Sequence, residues 1–424
     1  MARILALTNM YPPHHLGGYE LECRDILDRF RARGHACTLL TSTVRVAGVA
    51  DPPGEREAGT RRDLRIYWED HELLSPPLGE RLRIERHNQA QLQRALADVN
   101  PDVISVWHMG AMSLGLITTL HATGLPIVYV ICDDWLTYAH RHDAWTRMFR
   151  RVPRPLASAA ARRLGVPCTV PDLGTTGTFC FVSGMTQRSA NGTEPRYPDA
   201  TIVYSGIDTA DFPMRSEPRP QWGWRLLCVG RVDPRKGVDT AIRALPHLPP
   251  EATLEIVGRG DEDYVATLVG LAADLGVSDR VRWSVAARED LSGIYARADA
   301  FVFPVTWDEP FGLVPLEAMA SGTPVVATGT GGSGEFLLDG WNCLRFTSGD
   351  PAGLAGAVRR LAGDPALRGA LTRGGAATAA ELTIDRLADV LEAWHVAAAT
   401  CFADGRPAHR PTLDTLLGAD ELAP

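Results

Sequence analysis

The chain has no C-x-x-C pair. Its eight cysteines, at positions 23, 37, 132, 168, 180, 228, 343 and 401, are scattered. That distribution argues against structural zinc and against a disulfide framework, so a reducing, cytoplasmic compartment is expected. No apolar stretch approaches the roughly 20 residues a membrane span needs, which leaves peripheral contact as the most a bilayer is expected to receive. The N-terminus Met-Ala-Arg-Ile-Leu-Ala-Leu-Thr-Asn-Met has too short an apolar run for a signal peptide and reads as a buried first strand. Excess positive charge is also missing. The formal net charge is −8, which argues against a general nucleic-acid binder. No internal repeat and no long low-complexity tract interrupts the sequence.

What is present is an alternation of short apolar runs and amphipathic stretches over 424 residues, which suits two domains of about 200 residues each. Residues 3–8, 36–41, 103–107, 127–131, 178–182 and 202–204 read as strands, with a further one at 65–68. Helical patterns cover 19–33 and 81–98. Residues 133–178, rich in arginine, proline and aromatics, read as an irregular insertion covering a cleft rather than as core. A second series begins after a Pro- and Trp-rich stretch. It has strands at 225–229, 253–257, 280–284, 300–303 and 324–327, and helices at 238–245, 262–275, 289–297 and 313–320. The expectation is two doubly wound, Rossmann-like parallel-sheet α/β domains, residues 1–212 and 213–383. Helices follow at about 351–361 and 384–400, then a loose tail at 404–424.

The stretch 305–322, V-T-W-D-E-P-F-G-L-V-P-L-E-A-M-A-S-G, carries the most chemistry. Glu309 and Glu317 stand eight residues apart. Pro315 fits a first helical turn and Gly322 a helix end, so Glu309 lies on the entry loop and Glu317 about two turns further on. The backbone N–H groups near Phe311 and Gly312 then face whatever lies between, which suits a ligand carrying hydroxyls and an anionic phosphate.

Gly230 ends a strand, and Arg231 and Lys236 follow it in a loop, where two fixed cations suit a diphosphate. A solvated basic loop is the competing reading. Gly258-Arg259-Gly260 lacks the third glycine of a dinucleotide fingerprint, so nicotinamide binding is rejected. The glycines at 329, 331, 332 and 334 suit either close approach to a phosphate or a flexible turn. In the first half, Gly17-Gly18 lies between a strand and its helix, either as an anion site or as a tight turn. His108 and the pair Asp133-Asp134 each follow a strand's carboxyl end. Asp133 and Asp134 suit acceptor hydroxyls better than a metal, because no second ligand cluster supports one. The arginines between 141 and 163 suit a solvated surface, an anionic acceptor or a membrane.

In combination these motifs resemble the GT-B retaining glycosyltransferases of family 4 (group 1). The matching residues are Gly17-Gly18-x-Glu20, Val106-Trp107-His108, the run from Ile202 to Asp208, Gly230-Arg231 with Lys236-Gly237, Glu309-x7-Glu317, and Gly331-Gly332-x2-Glu335. The resemblance covers the chain to about residue 400. It implies two domains facing a deep cleft, with the last helix crossing back to the first domain. Arg231 and Lys236 would hold the diphosphate of a nucleotide-sugar, Glu309 the sugar hydroxyls and Glu317 the ribose. Gly17, Gly18, Gly230, Gly258, Val285, Phe311, Gly312 and Leu313 would complete the donor site. His108 would lie near the reacting sugar. Ser205 stands where the family pattern has Asn, and Cys343 near its usual Gly.

The implied reaction moves a sugar from a nucleotide-sugar, UDP-linked by family frequency, to a hydroxyl of a sugar, small molecule or lipid-linked acceptor. The anomeric configuration is retained by front-face attack, with no metal and no other cofactor. Domain closure would exclude water. The competing readings are a sugar-nucleotide epimerase of the same fold and an inactive nucleotide-sugar-binding protein.

Overall fold

The computed structural model describes residues 1–46, 48–69, 72–192, 196–214 and 221–404. The tail expected at 404–424 lies, beyond Asp404, outside the described residues. The chain divides into two compact units. One comprises residues 1–182, 186–203 and the chain from Leu387; the other comprises Ser183–Met185 and Tyr204–Arg386.

The first unit contains strands β1 (Arg3–Thr8), β2 (Ala36–Ser42) and β3 (Thr60–Leu64), then a short antiparallel pair, β4 (Trp68–Glu69) with β5 (Glu72–Leu73). After these come β6 (Val103–His108), β7 (Ile127–Ile131), β8 (Thr178–Phe181) and β9 (Ala200–Ile202). Its helices are α1 (Gly18–Ala32), α2 (Leu78–Val99), α3 (Gly115–Ala122), α4 (Trp135–His142) and α5 (Arg154–Leu164), with α6 (Gly184–Asn191) starting in the second unit. Seven strands form one parallel sheet in the order β3-β2-β1-β6-β7-β8-β9. Near-continuous apolar runs such as Ile127–Ile131, buried throughout, are what a sheet covered on both faces requires.

Residues 133–178 are not an irregular insertion. They form the crossover between parallel strands β7 and β8, built from α4, α5 and a 3-10 turn at Thr146–Phe149. Trp135 and Trp145 are fully buried within this segment, so these two aromatics are core. The composition misled because exposed arginines and helix-starting prolines sit beside buried tryptophans. The strand expected at 65–68 lies earlier, at β3, because Arg62 and Leu64 are the residues that alternate inward.

The second unit contains β10 (Arg225–Val229), β11 (Thr253–Val257), β12 (Val281–Ser284), β13 (Ala300–Phe303), β14 (Val325–Ala327) and β15 (Cys343–Arg345). They form a parallel sheet in the order β12-β11-β10-β13-β14-β15. Strand order therefore reverses between β10 and β13, the place where doubly wound sheets bind ligands. The helices are α7 (Val238–Ala244), α8 (Glu262–Asp274), α9 (Arg288–Arg297), α10 (Leu313–Ala320), α11 (Pro351–Gly363) and α12 (Pro365–Glu381). Asp261, Asp350 and Asp364 cap α8, α11 and α12 by accepting a first-turn N–H. Helix α13 (Ile384–Ala403) starts in this unit and continues in the first. There Glu392 pairs with Arg33 and His35, and His395 meets Phe30 edge-on.

Candidate active site

In the second unit the chain leaves β10 at Gly230 and turns through a short 3-10 segment, Pro234–Lys236. Asp233 caps that turn by accepting the Arg235 N–H. The same carboxylate pairs with Arg231 at 2.9 Å and Arg235 at 3.3 Å. Burial works to raise the pKa of Asp233, but the two guanidiniums outweigh it and hold the pKa below its usual range. The turn delivers Lys236 to a small cavity at the switch point, lined by Gly230, Arg231, Lys236, Phe303, Pro304 and Val305 among others. There the Lys236 ammonium donates to Glu309 Oε2 at 2.7 Å. Trp307 Nε1 donates to the same oxygen at 2.9 Å, and its indole lies under the Arg235 guanidinium at 4.6 Å.

The loop carrying Glu309 is pinned by the glycine-rich segment that follows β14. Gly332 N–H donates to the Glu309 carbonyl at 2.7 Å, and Thr330 Oγ1 to the Trp307 carbonyl at 2.7 Å. A Cβ on Gly331 would stand 2.5 Å from the Glu309 nitrogen. The close approach that Gly331 allows is therefore to the Glu309 backbone, and that of Gly332 is to the Pro310 carbonyl. Glu335, at the end of this segment, accepts the N–H groups of Gly184 and Met185.

Gly312 is the N-cap of α10, with φ +94°, and no side chain caps the helix. A Cβ there would also meet the Phe303 ring at 3.1 Å, so both backbone angle and space call for glycine. Leu313 opens the helix, and the Phe311 ring is buried 4.8 Å from Phe336. Four residues into α10, Glu317 is almost wholly buried. Tyr295 of α9 donates to its Oε2 at 2.7 Å, and Arg288 reaches Oε1 at 3.3 Å. Burial raises its pKa against the pull of Arg288. A carboxylate accepts at about four lone-pair positions, so these two donors leave room for ligand hydroxyls.

Gly230 and Gly258 follow β10 and β11, with their N–H groups spent on Val257 and Ser284 carbonyls. Any contact they make with a ligand is by close approach rather than donation. Val285, after β12, is exposed.

In the first unit the switch point lies between β1 and β6. Asn9, just past β1, donates its backbone N–H to the His108 carbonyl at the end of β6 (3.0 Å). His108 Nδ1 accepts the Gly110 N–H at 3.0 Å. The ring proton therefore sits on Nε2, which faces Asp133 Oδ2 at 2.9 Å and the Tyr138 hydroxyl at 3.2 Å. Tyr19 stacks on the imidazole with centroids 4.6 Å apart. Asp133 also accepts from Tyr138 and from the Trp135 N–H. Burial pushes its pKa up, but His108 and these donors hold it below the usual range. Three donors thus hold Asp133 beside His108. Asp134, beside it, occupies the N-cap position of α4. Gly17 donates its N–H to Glu20 at 3.0 Å, so that donor is used within the chain; Gly18 begins α1 and is exposed.

The sequence reading named Arg231, Lys236, Glu309 and Glu317, but missed their partners Trp307, Arg235, Tyr295 and Arg288, and missed Tyr19 and Tyr138 around His108. One signal was available. Lys236 is the only lysine in a chain whose Lys+Arg total is 43. A sequence that uses arginine everywhere else retains a compact, single-point cation at this position.

Two doubly wound parallel-sheet units are the architecture of the GT-B glycosyltransferases, and comparison with known proteins identifies the family. The family model for glycosyl transferases group 1 matches residues 212–377, and that for glycosyltransferase family 4 matches residues 16–211. A GDP-mannose-dependent α-(1-6)-phosphatidylinositol monomannoside mannosyltransferase from Mycolicibacterium smegmatis is 30% identical over 387 residues, covering 85% of this chain and 90% of the relative. A glycogen synthase from Mycobacterium tuberculosis is 29% identical over 388 residues, covering 86% and 87%. Among solved structures, Anabaena HepE in complex with UDP and glucose has a TM-score of 0.67 at 20% identity, covering 93% of this chain and 99% of that one. Sucrose-phosphate synthase from Thermosynechococcus elongatus has a TM-score of 0.70 at 19% identity, covering 95% and 99%. The chain belongs to the group 1, family 4 glycosyltransferases.

Proposed function

We propose that this glycosyltransferase moves a sugar from a UDP-sugar to an acceptor hydroxyl with retention at the anomeric carbon. The observation that carries the reading is the meeting of Lys236 and Glu309 at 2.7 Å, on loops leaving β10 and β13. A cation and a carboxylate fixed side by side fit the boundary between a donor's diphosphate and its sugar. Lys236 and Arg231 take the diphosphate, and Glu309 accepts from sugar hydroxyls. Glu317, set by Tyr295 and Arg288, accepts from the ribose.

As the glycosidic bond breaks, negative charge grows on the diphosphate. Lys236, Arg231 and the uncapped N-terminus of α10 are preorganised to stabilise it, without recourse to a metal. The acceptor hydroxyl attacks from the leaving group's side and gives its proton to the departing phosphate oxygen. Glu309 is held by Lys236 and Trp307, which suits a hydroxyl acceptor rather than a nucleophile. His108, with its tautomer set by Gly110 and Asp133, is the first unit's candidate for contacting the transferred sugar. A sugar or lipid-linked acceptor agrees with the names of the relatives, a glycogen synthase and a phosphatidylinositol monomannoside mannosyltransferase.

A thermal-shift screen against UDP, GDP, ADP and dTDP, followed by their sugars, tests the donor. A ligand at about 100 times its dissociation constant stabilises by about 2.7 kcal/mol. UDP is expected to give the largest shift. A larger shift with GDP or ADP overturns the base assignment, and no shift with any of them overturns the donor site. Product anomeric configuration by NMR tests retention, since inversion excludes front-face attack.

A further inference from the structure

The crossover between β7 and β8 carries an unusual charge. Residues 141–163 contain seven arginines, Arg141, Arg147, Arg150, Arg151, Arg154, Arg162 and Arg163, and one acid, Asp143, for a formal +6 in a chain of −8. All seven arginines are exposed. Among the described residues none of them pairs with a carboxylate, whereas arginines elsewhere in this unit do, as Arg3 does with Asp102 and Arg62 with Glu55. The one acid does not offset them at the surface. Asp143 is buried and accepts the N–H groups of Leu114, Trp145 and Thr146.

The charge sits on a folded platform. Trp145 is buried with Val166 and Cys168, and its indole N–H donates to the Pro167 carbonyl at 2.7 Å. Arg86 of α2 reaches the Leu164 carbonyl at 2.9 Å, tying α2 to the end of α5. Helix α5 buries Ala157 and turns Arg154, Pro155, Leu156, Ser158, Ala159, Arg162 and Arg163 to solvent. Leu156 and Arg163 lie two turns apart on one stripe. Leu156 is 62% exposed, and Met148, on the preceding 3-10 turn, is 37% exposed.

We propose that this face docks the enzyme on an anionic lipid surface. Guanidiniums bind phosphate headgroups by paired donors, and the attraction to such a surface grows with each basic residue near it. Leu156 and Met148 are the apolar side chains placed to enter the headgroup boundary beside them. Exposed apolar groups among the cations favour a bilayer over a soluble polyanion, which offers charge without an apolar layer. The remainder of the chain carries a formal −14 (−8 minus +6), so the field favours approach of this face to the lipid. The inference is independent of the donor site.

The test is vesicle flotation of the full-length protein with phosphatidylcholine alone, with phosphatidylcholine containing about one third phosphatidylglycerol, and with heparin as a soluble polyanion. Binding is expected to the anionic vesicles only, and to be lost on raising salt from about 0.1 M to about 1 M, where the Debye length falls from about 10 Å to about 3 Å. Charge reversal by R150E/R151E/R154E is expected to weaken vesicle binding at least about a hundredfold, following the value of each basic residue at the surface. Leu156→Ser is expected to weaken it several-fold while leaving its salt dependence. Circular dichroism and melting temperature establish that both variants fold. Absence of binding to anionic vesicles overturns the proposal, as does equal binding by the charge-reversed protein. Heparin binding as tight as vesicle binding, unchanged by Leu156→Ser, overturns it in favour of a soluble polyanion.

Discussion

Lys236 and Glu309 are best tested singly and together. Their contact is 2.7 Å and their side chains are 22% and 11% exposed, so solvent screens the pair only in part. A hydrogen bond to a charged group contributes about 1.5–3 kcal/mol net, and the partial exposure places this one near the lower end, about 1.5–2 kcal/mol. Lys236→Ala leaves the carboxylate with Trp307 Nε1 as its remaining donor and is expected to destabilise the second unit by about 2 kcal/mol. Glu309→Gln keeps an acceptor oxygen for both donors and is expected to cost about 1 kcal/mol. If the contact is coupled as the geometry indicates, the double variant costs less than the two singles combined, by about 1.5 kcal/mol.

Ligand binding separates the roles. In the free protein Lys236 is shared with Glu309, so a diphosphate competes with that carboxylate for the ammonium. Glu309→Gln removes the competitor, and nucleoside-diphosphate affinity is expected to stay the same or tighten by up to about tenfold, or 1.4 kcal/mol. Lys236→Ala is expected to loosen it at least about tenfold on the same scale. Turnover falls in both, by at least about a hundredfold for Glu309→Gln, the scale of losing one preorganised contact. Isothermal titration calorimetry with the nucleoside diphosphate and initial rates with its sugar supply both readings. Equal loss of diphosphate affinity in the two variants, or additivity within about 0.5 kcal/mol, refutes the reasoning.

Tyr295→Phe strips a donor from buried Glu317 and is expected to cost about 1–3 kcal/mol. It should weaken nucleoside diphosphate but not inorganic pyrophosphate, and equal weakening of both would remove Glu317 from the ribose. Gly312→Ala forces a side chain into φ +94° against Phe303 and is expected to cost about 1–3 kcal/mol, with loss of diphosphate affinity; an unchanged melting curve refutes it. Because Lys236 is the only side-chain amine, a saturating donor should protect the chain from acylation everywhere but the N-terminus, and mass spectrometry showing undiminished modification at Lys236 would place the diphosphate elsewhere. Burial in the first unit raises the Glu85 carboxyl to about 7 despite the Tyr67 hydroxyl bound to it. Between the ordinary value near 4.5 and about 7 the unfolded chain holds fewer protons than the folded one, so stability falls as pH rises through that window. Glu85→Gln should abolish about 3 kcal/mol of that fall in urea unfolding at pH 5 and pH 8, and an unaltered pH slope would contradict the assignment.

Strands at 127–131, 225–229, 253–257 and 300–303 and the helix at 313–320 were legible because each is a short apolar run with its own start and stop signals. Strand β15 was not. Three residues give no period, and its place is set by pairing with β14. Helix α12 was hidden by Gly369, Gly374 and Gly375, which spoil helical propensity. Gly374 and Gly375 are there because the Trp341 carbonyl and the Met319 side chain lie where a side chain would stand. At the site, Glu309 and Glu317 were legible from spacing within one segment. Their donors were not, because Lys236, Arg288 and Tyr295 come from elsewhere in the unit and meet the carboxylates only through the strand order. The link from Asp133 to His108 was hidden in the same way, across adjacent strands β6 and β7.

Three carboxylates stand at the two switch points, Glu309 and Glu317 buried and Asp133 25% exposed, and each is costly to bury alone. Glu309 has Lys236 and Trp307, Glu317 has Arg288 and Tyr295, and Asp133 has His108, Tyr138 and the Trp135 N–H. In every case the donors are fewer than the acceptor positions of a carboxylate. A carboxylate satisfied on all sides would be a structural brace, and one with no donor would neutralise itself by taking a proton. Partial satisfaction keeps the charge and fixes its direction while leaving lone pairs for hydroxyl groups of a ligand. That is the condition under which a sugar is bound without the site having to reorganise as charge develops on the leaving group.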